Sequence, residues 1–330
     1  MLNNNFINKF KNKKFAHLDL SRKNKNIILI GTILILFFIL FFIFIFNNSY
    51  SFIPASQVVD QTLLRVLVSV FAGFALSVAG ASMQGITRNY LSGPTTLGLL
   101  PAVTLGSIIF QAFNLHGTYL IFIISILFSF VVMAINFISS KINYKDNNNF
   151  KPILVGLILG ASISSVNIII ASTNSNINEQ IISWLGSTTQ GFSWDRFIYA
   201  GPLIIIGIFI LLLMSSRLNI IEESPLLAKS LGINMNRTYW IVGIGTILVT
   251  SSSVLLIGSV VIIGIVMPHL TRIILKTRNY KLVTPISGLL SSIVIMFGMW
   301  INIRFTLGLN LFAVIVSLPV FLYMFLGNKK

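Results

Sequence analysis

The sequence predicts an all-α integral membrane protein of about ten transmembrane helices, with both chain ends in the cytoplasm. Its 330 residues are 55% hydrophobic and only 9% charged, whereas soluble domains are typically about 45–50% apolar with glycine included. Ten apolar stretches have about the length of ~20 residues that a helix needs to cross a bilayer. With these spans, all but three of the 23 basic residues fall on one side, as the positive-inside rule requires.

The predicted spans are 27–46, 64–84, 95–113, 118–139, 152–171, 197–214, 239–257, 258–275, 282–302 and 309–326. They form a single domain over residues 27–326, preceded by a cytoplasmic tail (1–26) and followed by a second one (327–330). The first tail holds seven lysines and arginines, which would attract anionic lipid. The two spans that meet at Gly258 have almost no connection between them, so that boundary is the least distinct.

Composition excludes several classes of function. With no cysteine, three histidines and no HExxH pattern, the chain predicts no metal site. It contains no phosphate-binding loop, so any ATP and magnesium would be used by a partner chain and not bound here. The predicted spans carry no Asp or Glu away from their ends, which disfavours an ion-coupled carrier. The +16 net charge follows the membrane topology and does not indicate nucleic acid.

A polar segment, Leu218–Asn234, separates the sixth and seventh predicted spans. It carries residues that cannot lie in lipid: Glu222, Glu223, Pro225, Lys229 and Gly232. We expect a short helix on an aqueous face, beginning near Ser224-Pro225 and ending at Gly232. One of its sides would be apolar, formed by Leu226, Leu227 and Leu231, while Lys229 stays in water. From these residues alone, a docking element for a cytoplasmic partner and a solvated loop are both open.

Three further stretches carry weaker signals. The outer segment Ser172–Asp195 has the apolar spacing of a short surface helix, with Trp184 and Trp194 at headgroup level. The inner stretch Lys141–Lys151 has the composition of a flexible link. The second span is rich in glycine, alanine and serine, which favours close packing of helices in a membrane.

Several motifs in the same order resemble those of one family. Arg65–Gly98 resembles R-x-L-x₅-G-x₂-L-x₃-G-x₃-Q-x₄-N-P-L-A-x-P-x₂-L-G, matching at Arg65, Leu67, Gly73, Leu76, Gly80, Gln84, Asn89, Leu91, Pro94, Leu97 and Gly98. A later stretch resembles L-N…A-x-S-L-G-x-N, matching at Leu218, Asn219, Ala228, Ser230, Leu231, Gly232 and Asn234. The segment from Gly258 resembles G-x-I-x-F-V-G-L-I-V-P-H-I-x-R, with Gly264, Pro268, His269 and Arg272. The chain thus resembles the FecCD permeases of ABC importers for iron chelates and vitamin B12.

The resemblance implies a type II importer fold like that of the vitamin B12 permease, in a bacterial plasma membrane. Two permease subunits would pair, with a heterodimer favoured over a homodimer. Two cytoplasmic ATPase subunits would grip the loop at 215–238, and an external binding protein would deliver the cargo. Ferric siderophore is the expected cargo, haem or cobalamin is the alternative, and an ion-coupled secondary carrier is the alternative of another class.

The same resemblance assigns roles to particular residues. ATPase coupling falls on Glu222, Glu223, Pro225, Ala228, Lys229, Ser230, Leu231 and Gly232. Docking of the binding protein falls on Arg65 and Arg304, and lining of the translocation path on Gly160, Ser162, Ser164 and Ser165. His269 is expected to be structural. The chain departs from the pattern at Tyr90, where the family usually has proline, at Ser224-Pro225 and at the start of the last span.

Overall fold

The computed structural model describes residues 29–39, 55–140, 150–172, 193–258, 260, 262–305 and 308–326. The two predicted tails, nearly all of the link after Lys141 and the outer surface helix around Trp184 lie outside these residues. The predictions for those parts of the chain therefore stay predictions.

The described residues fold into helices joined by short links. In chain order they are α1 (Leu29–Ile39), α2 (Ala55–Thr87), α3 (Leu99–Ala112), α4 (Thr118–Ser140), α5 (Lys151–Ser172), α6 (Trp194–Glu223), α7 (Pro225–Ser230), α8 (Met235–Ile257), α9 (Ile263–Leu275), α10 (Tyr280–Phe305) and α11 (Leu309–Leu326). Each predicted span overlaps one of these helices, and α7 is the additional short one. Six of the helices, α2, α4, α5, α6, α8 and α10, are long and apolar enough to cross a membrane.

Several helix boundaries differ from the predicted ones, and two of the differences have a local cause. Helix α6 continues past the apolar stretch to Glu223, because a polar sequence can extend a helix beyond the membrane into water. Helix α8 ends at Ile257, directly before Gly258, whose φ is +79°, and α9 begins only at Ile263. Glycine adopts a positive φ without steric cost, so it separates two spans that the hydropathy pattern runs together.

Helix α2 is the centre of the bundle and packs against α6, α8, α9 and α10. The small residues predicted to allow close approach lie at these contacts. A Cβ added to Gly80 would overlap the backbone of Gly264 in α9, and one added to Gly73 would lie 2.8 Å from Cα of Ser292 in α10. Because lipid offers no hydrophobic drive for helix association, such backbone contact is a main source of cohesion.

The inner helices also bury many hydroxyl groups, and most of those in α8 and α10 are fully buried. Some donate to a carbonyl of their own helix one turn earlier, as Thr87 Oγ1 does to Met83 O at 2.7 Å. Others join two helices: Ser292 Oγ donates to Val70 O at 2.9 Å, and Ser129 Oγ lies 3.2 Å from Ser251 Oγ. Small polar side chains therefore share the interior of the bundle with a large apolar core.

Candidate functional site

The short helix α7 is built by its flanking residues. Ser224 is extended (φ −159°, ψ 122°), and its Oγ accepts a hydrogen bond from Leu227 N at 3.3 Å. Pro225 follows at the first helical position, where its missing N–H is not needed. At the other end Gly232 has a φ of +77°, and Ile233 N donates to Ala228 O at 2.9 Å. The predicted short helix is confirmed, with its start at Pro225.

Helix α7 turns its apolar side away from the rest of the chain. Pro225 and Ala228 are buried, whereas Leu226, Leu227 and Leu231 are 73%, 43% and 61% exposed. Lys229 is exposed as well, as predicted. These three leucines, two in α7 and one directly after it, form an exposed apolar surface that a partner could cover.

The two predicted coupling glutamates are not part of this helix. Because Ser224 interrupts the helical backbone, Glu222 and Glu223 form the last turn of α6. Their two side chains differ in burial: Glu223 is exposed, and Glu222 is half-buried. Since α6 ends at Glu223 and α8 begins at Met235, the link inside the predicted loop 215–238 spans only residues 224–234.

A charged cluster lies directly beside the base of α7, and we call Gln84, Tyr90, Glu222, Arg272 and Tyr280 the Arg272 cluster. Arg272 is 8% exposed. Its two terminal nitrogens donate to Gln84 Oε1 at 2.6 Å and to Tyr280 Oη at 3.0 Å. Its guanidinium also lies 4.6 Å from the ring centre of Tyr90, within the range of a cation–π contact.

Glu222 joins the Arg272 cluster through Tyr90. The Tyr90 hydroxyl donates to Glu222 Oε1 at 2.6 Å, a length typical of an O–H to carboxylate bond. Burial, and next this bond to Glu222, raises the pKa of the Tyr90 phenol, so the phenol remains a donor at neutral pH. The ring of His269 also lies near that of Tyr90, with the two ring centres 6.1 Å apart, and the structural role expected for His269 stays a prediction.

A second contact ties the end of α6 to the beginning of α10. Asn219 Oδ1 accepts from Tyr280 N at 2.6 Å, and Asn219 Nδ2 donates to Asn279 Oδ1 at 2.8 Å. The ends of α2, α6 and α9 and the start of α10 therefore meet at one end of the bundle. Sequence reasoning missed this cluster, although Gln84 and Arg272 match family motifs and Tyr90 departs from one.

The two predicted docking arginines lie toward the opposite end. Arg65 is separated from the Arg272 cluster by most of α2, and Arg304 by most of α10, which amounts to about 30 Å along each helix. Arg65 is half-buried and Arg304 is exposed. Their distance from α7 agrees with the predicted topology, and their docking role stays a prediction.

The four predicted path residues of α5 do not share one environment. Gly160 is buried against the turn into α3, where an added Cβ would lie 3.4 Å from Gly98 Cα. Ser162, Ser164 and Ser165 are exposed. Within the described part of the chain, no three His, Cys, Asp or Glu residues come together as a metal site.

Comparison with known proteins assigns the family. Residues 27–327 match the FecCD transport family. The chain is 27% identical to the Fe(3+)-citrate import system permease YfmD of Bacillus subtilis, over 81% of each chain. It is 28% identical to the molybdate import system permease MolB of Haemophilus influenzae, over 68% of this chain and 67% of that one. The first three curated relatives are matched over 66%, 81% and 79% of their own length.

A solved structure confirms the fold. It is described as an inward-facing conformation of a metal-chelate-type ABC transporter and superposes with a TM-score of 0.76. The superposition covers 89% of this chain and 97% of that one at 22% identity, so it supports the architecture and not the cargo. Because the family match extends over nearly the whole helical bundle, the chain belongs to the FecCD transport family and is the permease subunit of an ABC importer in a bacterial cell membrane.

Proposed function

We propose that this permease imports a ferric siderophore and receives the energy for transport through α7. The observation that carries the proposal is the exposed apolar surface of α7. The chain contains no phosphate-binding loop of its own, so a separate ATPase subunit would bind magnesium and hydrolyse ATP. Family membership also removes the alternative of an ion-coupled secondary carrier.

Helix α7 is suited to seat in a cleft of the ATPase. It is capped at both ends by its own chain, so its shape does not depend on a partner. Leu226, Leu227 and Leu231 point outward, and full burial of one leucine contributes roughly 1.5–3 kcal/mol. The neighbouring Lys229, Ser230 and Glu223 are exposed and supply a polar rim. Rigid-body closure of two such ATPases would move the permease halves between outward and inward states.

At the other end, Arg65 and Arg304 would receive the binding protein by pairing with its acidic residues. Pairs of this kind govern encounter and register more than raw affinity. Replacing both by glutamate should therefore slow capture of the loaded binding protein by about tenfold or more at low salt. Surface plasmon resonance on the purified importer measures this rate. The control is Arg196→Glu, at the third basic residue on the outer side, which matches no family motif and is half-buried. A capture rate that stays at the wild-type value in the double variant would remove the docking role.

We further propose that the translocation path forms between this chain and a second permease subunit. Helix α5 contacts α3 and α4 and leaves Ser162, Ser164 and Ser165 exposed. We place this serine face at the path between two permeases. The departures from the family pattern at Tyr90 and in the last helix favour a heterodimer.

Ferric siderophore is the cargo best supported by the resemblance, and YfmD gives it a named parallel in iron import. Haem or cobalamin remains the alternative. MolB, at the same level of identity, is named for an oxyanion, so the degree of similarity alone does not select the cargo. Measured uptake of each candidate compound is what identifies the cargo.

The test of the proposal replaces the apolar surface of α7. A Leu226→Ser, Leu227→Ser double variant should lose binding to the ATPase by about 10- to 100-fold. The two leucines are 73% and 43% exposed, so covering both buries about one leucine side chain, which contributes roughly 1.5–3 kcal/mol. Co-purification of the ATPase measures binding, and uptake of radiolabelled ferric siderophores measures transport. The matched control is Leu226→Met, Leu227→Met, which keeps the apolar volume and should behave as wild type.

Two results would contradict different parts of the proposal. If the serine variant binds the ATPase as wild type does, α7 is not the coupling helix. If wild-type importer takes up haem, cobalamin or molybdate but no ferric siderophore, the cargo assignment is wrong while the role of α7 stands.

A further inference from the structure

The side chain of Tyr90 connects the base of α7 to the centre of the bundle. Its hydroxyl is bonded to Glu222 at 2.6 Å, and Glu222 lies two residues before Ser224, which caps α7. Its ring lies under the Arg272 guanidinium at 4.6 Å. Tyr90 thus stands between an anion at the end of α6 and a cation in the last turn of α9.

The other end of this connection is firmly placed. Arg272 is bonded to Gln84 at 2.6 Å, and Gln84 Nε2 donates to Ile265 O in α9 at 3.0 Å. Gln84 is fully buried in α2, the helix on which α6, α8, α9 and α10 all pack. Besides the direct packing of α6 on α2, Glu222 is therefore connected to the central helix through two side chains, Tyr90 and Arg272.

The link that carries Tyr90 is itself held in place. Leu91 N donates to Asn89 Oδ1 at 2.9 Å, and Gly93 N donates to Thr96 Oγ1 at 2.9 Å. A Cβ added to Gly93 would lie 2.8 Å from the Ile265 side chain, so this link packs closely on α9. Tyr90 is consequently attached to α9 and α2, whereas Glu222 belongs to the end of α6 beside α7.

We propose that Tyr90 is a positioning residue for energy coupling: through its bond to Glu222 it transmits movement of α7 to α9 and the central helix α2. The proposal rests on α7 being the site where the ATPase docks. A proline at this position, as in the family pattern that the sequence otherwise resembles, has no hydroxyl and cannot make this bond. The connection is therefore specific to chains that carry a hydroxyl donor here.

The test removes one oxygen atom. Tyr90→Phe keeps the ring under Arg272 but loses the bond to Glu222. In proteoliposomes holding the complete importer, we expect the amount of cargo moved per ATP hydrolysed to fall about fivefold or more, the lower end of measured coupling between sites. ATP hydrolysis and co-purification of the ATPase should be retained. The control is Tyr119→Phe, which removes a hydroxyl from a half-exposed tyrosine at the start of α4.

A second variant addresses the same bond from its other side. Glu222→Ala should lower the ratio of transport to hydrolysis as Tyr90→Phe does, and the double variant should be no worse than either single one. A residue that only supports the fold would change the melting temperature without changing this ratio. If Tyr90→Phe does not yield folded protein, Glu222→Ala still decides the outcome.

The failure of this inference is distinguishable from that of the proposed function. If wild-type permease does not retain an ATPase through α7, the proposed function fails. If wild-type importer is coupled and both Tyr90→Phe and Glu222→Ala keep the wild-type ratio, or if the double variant shows the sum of two separate losses, Tyr90 has no part in coupling.

Discussion

Helices α5 and α6 are both mostly exposed, yet their exposed sides differ in chemistry. Of the most apolar 18-residue stretch, 22% is buried in α5 and 28% in α6. Between residues 198 and 213 of α6, the exposed side chains are bulky aliphatic or aromatic groups and one proline. They are Ile198, Tyr199, Pro202, Ile205, Ile206, Phe209 and Leu213. Those in the middle of α5 include a run of small ones: Ala161, Ser162, Ser164 and Ser165.

The difference indicates different neighbours for the two helices. Bulky apolar side chains on α6 match lipid tails, whereas small residues let another backbone or a cargo approach closely. The hydroxyls do not by themselves prove a wet face, because Ser162 Oγ and Ser165 Oγ bond to carbonyls of their own helix at 2.9 and 3.0 Å. Side-chain volume, more than polarity, therefore distinguishes residues 161–165 of α5 from the exposed side of α6.

The largest effect is expected from a methyl group added to α5. A Cβ at Gly156 would overlap Thr96 O and lie 2.5 Å from Leu97 Cα, so Gly156→Ala must push α5 away from the link before α3. We expect a loss of stability of about 1–3 kcal/mol or more, with reduced yield of folded protein. The melting temperature of the detergent-purified chain measures the change.

Gly201→Ala in α6 is the matched control for that change. An added Cβ there meets nothing within 4 Å, so this variant should fold as wild type does. Equal stability of the two variants would mean that α5 is not fixed against the α3 link, and the contrast between the two helices would lose its structural basis.

Sequence reasoning located the helices well because long apolar runs are read directly from composition. The ten predicted spans each overlap a helix, and α7 was recognised from Ser224, Pro225 and Gly232, whose backbone preferences are local. The direction in which α5 faces was not readable. A membrane helix is apolar on all sides, so the periodicity that orients a soluble helix is absent. The sequence therefore does not separate Gly160, which is buried, from the three serines, which are exposed.

The Arg272 cluster was out of reach for a related reason. Tyr90 and Glu222 are 132 positions apart, and Gln84 and Arg272 are 188 apart. No local preference pairs residues at such separations. From the sequence alone, Glu222 is therefore expected in the water-facing loop together with Glu223. Only the packing of α2, α6 and α9 brings these side chains together, and it gives the two glutamates different surroundings.

A smaller effect, on transport alone, would sharpen the comparison between α5 and α6. The chain has no cysteine, so Ser164→Cys and Ile205→Cys each introduce a single thiol near the middle of its helix. Alkylation requires the thiolate, which forms where water and ions have access and not in lipid. In the assembled importer, a water-soluble maleimide should therefore modify the Ser164→Cys variant at least about tenfold faster than the Ile205→Cys variant. Uptake by the Ser164→Cys variant should fall as the reaction proceeds.

The outcome of this labelling decides what α5 faces. Protection of position 164 by loaded binding protein and ATP would place it on the path itself. Equal, slow modification at both positions would instead assign α5 to lipid or to a dry contact between the permease subunits, since its small residues would then serve helix packing alone.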